Sequence, residues 1–98
     1  MIRIVKLSFY PQHLDDFLTH FETVKNKINQ FPGCEGMQLL LDKKNKGVVF
    51  TYSQWENEHA LEKYRNSELF SGIWPKVKKW FNDKPQAWSH DLFFDGFK

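Results

Sequence analysis

Apolar and polar positions alternate with a period of two over residues 2–9, "IRIVKLSF". Val5, Leu7 and Phe9 share one face with Arg3, while Ile2, Ile4, Lys6 and Ser8 take the other. That period predicts a strand, because successive side chains of an extended chain point to opposite sides. Tyr10-Pro11 ends it: proline offers no amide hydrogen to a ladder but suits the first turn of a helix. From about residue 13 to residue 30 the period lengthens. Leu14, Phe17, Leu18, Phe21, Val24 and Ile28 recur at mostly three- and four-residue intervals, the stripe of an amphipathic helix. Pro32 and Gly33 stop it.

Residues 36–42, "GMQLLLD", predict a second strand, with Met37, Leu39 and Leu41 opposite Gln38, Leu40 and Asp42. Both sides are apolar enough to need cover. Asn45 and Gly47 mark a turn. Residues 48–55, "VVFTYSQW", carry the β-branched and aromatic residues that fit a pleated surface and form a third strand. A short helix follows over 57–66 and a longer one over 67–81, where Leu69, Phe70, Ile73, Trp74, Val77, Trp80 and Phe81 make one stripe. Pro75 lies within that stripe and predicts a kink or a restart. Residues 87–94, "AWSHDLFF", predict a last strand with Trp88, His90, Leu92 and Phe94 on one face.

The order strand–helix–strand–strand–helix–strand predicts an α+β fold, the ferredoxin-like split βαβ arrangement: an antiparallel sheet with its helices on one face. The opposite face carries Ile2, Ile4 and Leu40. Burial against a second copy is the simplest cover, so a homodimer is expected.

Composition narrows the functional classes. The 98 residues suffice for a single domain, 1–98, with one modest core. Aromatic residues make up 17% of the chain, more surface than such a core requires, which leaves some for a partner or a small ligand. A net charge of +2 gives no reason to expect nucleic acid, and no stretch is apolar enough for a membrane span or a signal peptide. The single cysteine, Cys34, excludes an internal disulfide and any multi-thiolate metal site. A cytoplasmic location is expected.

A Pro-Gly-Cys turn (Pro32, Gly33, Cys34) and a hairpin lead to Trp55; Ala60 follows five residues later, then Ser67 and Phe70. This pattern resembles the antibiotic biosynthesis monooxygenase family of the dimeric α+β barrels, in register along essentially the whole chain. The resemblance implies that two sheets face each other as a barrel, with a pocket between each subunit's sheet and helices. It further implies oxidation of quinol-like or polyketide substrates without a cofactor, by His, Trp and Asn side chains around the pocket. Such members place histidines nine residues after the shared Trp and just before the Phe; here those positions hold Tyr64 and Leu69. Tyr64 retains a hydrogen-bond donor but lacks the proton chemistry of an imidazole near neutral pH. The haem-degrading branch uses Asn, Trp and an axial His where this chain has Val5, Tyr64 and Trp74, and an indole has no lone pair for iron. No metal or cofactor site is therefore expected.

Other polar groups have plain structural readings. His13 and His20, seven residues apart, flank the first helix's stripe and miss the four-residue spacing of a helical metal pair. His59 belongs to a polar helix face, and Cys34 reads as a small packed residue. Lys76, Lys78 and Lys79 lie off the apolar stripe, on a solvated face. Asp15 and Asp16 complement a helix N-terminus. His90 shares a face with Trp88 and is either an interface or core histidine or an acid–base group of the pocket. Two functions stay open. One is a cofactor-independent monooxygenase of a small quinol-like aromatic, with Tyr64 as donor, His90 as base, and Trp55, Phe70 and Trp74 as walls. The other is a non-catalytic small-ligand binder that keeps the pocket and lacks the histidines.

Overall fold

The computed structural model describes all 98 residues. Strand β1 spans Ile2–Ser8; after a short 3-10 turn at Pro11–His13, helix α1 runs Leu14–Asn29. Strands β2 (Cys34–Leu41) and β3 (Val48–Trp55) form a hairpin. Helices α2 (Glu58–Arg65) and α3 (Glu68–Lys78) follow, then strand β4 (Gln86–His90). The sheet is antiparallel in the order β2-β3-β1-β4, which is the ferredoxin-like arrangement with the third strand and the first side by side.

Side-chain caps fix where the two later helices begin. Asn57 accepts a hydrogen bond from the Ala60 amide at 2.9 Å, and Ser67 accepts one from the Phe70 amide at 3.1 Å. Helix α3 runs through Pro75 as one element. The carbonyl that Pro75 leaves without an intrahelical donor belongs to Ser71; both residues are exposed, so water can satisfy it. The expected restart is therefore absent. Gly33 has a φ of 88°, and a Cβ there would run into the Ala60 side chain. The Pro-Gly-Cys turn and Ala60 are thus two halves of one close contact between the hairpin and α2.

The ladder registers assign every strand residue a face. Arg3, Val5 and Leu7 stand beside Ser53, Thr51 and Val49 on the side of the helices, with Ala87 and Ser89 next to them on β4. The main core lies there, with Phe9 and Phe17 stacked at 4.4 Å between ring centroids and Val49, Ile73 and Val77 around them. A second cluster gathers Trp55, Ala60 and Leu61 where β3 hands over to α2. Trp55 is only 2% exposed and donates its indole N–H to Ser53 Oγ at 2.9 Å. On the opposite face Ile4 sits between Tyr52 and Trp88, and Leu40 stands beside Phe50.

The last strand is shorter than its pattern predicts. His90 pairs with Ile2, the first residue of β1, so β4 has no ladder partner beyond that point. Leu92 and Phe94 consequently belong to no strand face, and together with Phe93 and Phe97 they are largely exposed.

Candidate functional site

Between the helix-side face of the sheet and the three helices lies a cavity of about 310 Å³, the lower end of the range for small-molecule sites. Fifteen of its 21 lining residues are hydrophobic, so a flat apolar ligand would lose little by leaving water. An aromatic chain forms much of the wall. Trp55 lies 5.2 Å from Tyr64, Tyr64 meets Phe70 edge-on at 5.3 Å, and Phe70 stacks on Trp74 at 5.5 Å. The caps described above aim this chain: Asn57 orients α2, which carries Tyr64, and Ser67 orients α3, which carries Phe70 and Trp74.

The structure brings Trp55, Tyr64, Phe70 and Trp74 together around one space. Trp55 serves the core and the wall at once. Burial, with a smaller contribution from the nearby Cys34, pushes the Tyr64 phenol up to about 12. Tyr64 is thus a neutral hydroxyl at any physiological pH and can donate a hydrogen bond without accepting a proton. His90 is a correction to the sequence reading. The alternation along β4 turns Ala87 into the cavity and sends Trp88 and His90 to the opposite face, where His90 is exposed. A base working inside the cavity cannot be His90.

The histidine that lines the cavity is His20. It projects from α1 into the cavity wall, edge-on to Trp80 at 6.1 Å between ring centroids. Its Nε2 is shielded from solvent and has no hydrogen-bond partner. Burial lowers its pKa, and the Lys76 ammonium lowers it further, so the neutral imidazole is favoured at neutral pH. The available signal was spacing: His20 follows Phe17 by three residues and precedes Val24 by four, both on the apolar stripe. Only the position of α3 shows that this edge of the stripe is covered.

Arg3 and Arg65 are the charged wall residues outside expectation, with Thr51 and Ser53 as further polar lining. Arg3 donates to Ser89 Oγ at 2.9 Å, and its pKa is lowered by burial and then by the neighbouring Arg65. No three His, Cys, Asp or Glu side chains converge closely enough to hold a metal ion, and no helix is long and apolar enough to cross a membrane.

Residues 1–74 match the family model of antibiotic biosynthesis monooxygenases. No curated protein matches the sequence. Among solved structures, an antibiotic biosynthesis monooxygenase is 20% identical with a TM-score of 0.87, over 95% of this chain and 99% of its own. A conserved protein of Methanosarcina mazei Go1 is 18% identical with a TM-score of 0.81, over 88% of this chain and 86% of its own. Rv0793 of Mycobacterium tuberculosis is 11% identical with a TM-score of 0.86, over 98% of this chain and 97% of its own. At these identities the likeness is one of fold.

Proposed function

The chain belongs to the antibiotic biosynthesis monooxygenase family, and from that premise we propose that it is a cofactor-independent monooxygenase of a small, quinol-like aromatic. The reading rests above all on His20, an imidazole in the wall of a mostly apolar cavity whose pKa is lowered by burial and by Lys76. A neutral imidazole there accepts the proton of a substrate hydroxyl. The resulting substrate anion is electron-rich enough to reduce dioxygen. A carbon–oxygen bond forms, the oxygen–oxygen bond breaks, one oxygen atom stays on the substrate, and the other leaves as water with two hydrogens from the substrate. Tyr64 donates a hydrogen bond to the anionic oxygen, while Trp55, Phe70 and Trp74 hold the ring and keep water out. The open sheet face pairs with a second copy to close a dimeric barrel, and the protein works in the cytoplasm.

Oxygen uptake with a panel of hydroquinones tests the reaction. His20→Ala should lower kcat about a hundredfold, within the usual range for loss of a general base. In the wild type, kcat should fall as acid protonates His20, with an inflection below the ordinary histidine value of 6.5. Binding of several hydroquinones without any oxygen uptake would make the protein a ligand binder instead. An unchanged rate in His20→Ala would remove His20 from the chemistry.

A further inference from the structure

The two arginines in the cavity wall are not explained by a neutral quinol. Arg3 occupies a strand position whose neighbours on the same face, Val5 and Leu7, are apolar core residues. Arg3 is half-buried there, with its guanidinium at the cavity wall. The Ser89 hydroxyl accepts one of its five N–H groups, which steadies the guanidinium against β4 and leaves the others free for a ligand. Arg65 also lines the cavity, and its contact with Glu62, at 3.7 Å between half-exposed side chains, is too long for a strong charged hydrogen bond.

We propose that Arg3 and Arg65 form an anion-binding end of the cavity, and that the natural ligand is an aromatic ring bearing a carboxylate. The inference rests on the cavity being the substrate site. No carboxylate of the chain lines the cavity, so nothing within it neutralises the pair. The acidic groups felt by Arg3, Glu58 and Glu62, stand on the exposed side of α2, and each acts on it more weakly than Arg65 does. Arg65 also depresses the Arg3 pKa, so the two guanidiniums repel each other. A carboxylate between them relieves that repulsion and accepts from both, with the planar two-oxygen geometry that guanidinium groups match. The remaining wall then receives the ring. His20, which neighbours α3, and the arginines, one on α2 and one on β1 beside it, address different groups of the same molecule.

Calorimetric titration with two probes at pH 7 separates the cases: hydroquinone, which is neutral, and 2,5-dihydroxybenzoate, the same ring with a carboxylate. The wild-type protein should bind 2,5-dihydroxybenzoate at least about tenfold more tightly, as expected for charged hydrogen bonds. Arg3→Gln should remove most of that preference and Arg65→Gln part of it, while each changes hydroquinone affinity less than about threefold. Arg65 is exposed enough that its replacement leaves the fold intact, so it decides the matter if Arg3→Gln fails to fold. Equal affinity for the two probes, or a preference that survives the replacements, overturns the anion site and spares the cavity reading. Failure of both probes to bind overturns the cavity reading, and the anion site falls with it.

Discussion

The two faces of the sheet are built from the same strands and nearly the same residue types, yet they meet opposite fates. On the helix side Leu7, Phe9 and Val49 are almost completely buried, and the chain's own helices enclose both core and cavity. On the other side Ile4, Phe50 and Tyr52 are only partly covered by their neighbours, while Leu40 and Trp88 are 47% and 42% exposed. Alternation guarantees two apolar faces, but one chain supplies helices for only one of them. Intramolecular packing therefore sets the fold's stability on one side and leaves apolar surface uncovered on the other.

The difference is sharpest for two single changes. Phe9, 1% exposed, stacked on Phe17 and tilted against Phe81, anchors the helix side. Phe9→Ala should cost about 3–5 kcal/mol in denaturant titration, enough to threaten a domain of this size. Ile4→Glu, on the open face between Tyr52 and Trp88, should leave the circular dichroism of the protomer unchanged. It should instead weaken the dimer about a hundred- to a thousandfold, because an unpaired charge would have to be buried. Light scattering checks this directly. A wild-type mass near 11.8 kDa at micromolar concentration would refute the dimer, and an intact Ile4→Glu dimer would move the interface elsewhere.

A smaller effect probes the wall of the cavity. Folded Tyr64 keeps its proton up to about pH 12, whereas the unfolded chain releases it near 10.0. Between those values unfolding releases a proton, so this contribution is fully present below pH 10 and disappears as the pH rises to 12. Its size is about 2–3 kcal/mol. Tyr64→Phe keeps the ring and lacks the titration, so the two proteins should diverge in stability across that window. Parallel curves would mean that the phenol is as solvated in the folded state as in the unfolded one.

The candidate site was legible in proportion to how strongly packing depends on residue type. Trp55, Phe70 and Trp74 are large and apolar, and the helical stripe already directed Phe70 and Trp74 inward. The polar members were harder to place. His20 and His90 are chemically identical, and the chain pattern favoured His90 because it shares a strand face with Trp88. That alternation was right about the neighbours and silent about which face they share with the helices.

By itself, then, the sequence determined the order of elements, their boundaries to within a few residues in most cases, and the partition of each strand into two sides. These follow from local physics: the periods of 2 and 3.6, the caps at Asn57 and Ser67, and the backbone freedom of Gly33. Tertiary structure decided the rest. It set which side of β4 meets the helices, ended that strand at His90 for want of a partner, and brought Trp80, just past α3, against His20 on α1, whose Nε2 is shut away from water. It also set Arg3 and Arg65, 62 residues apart in the chain (65 − 3), against one cavity. Pairing register and helix docking are long-range outcomes, and no local period encodes which distant groups they make neighbours.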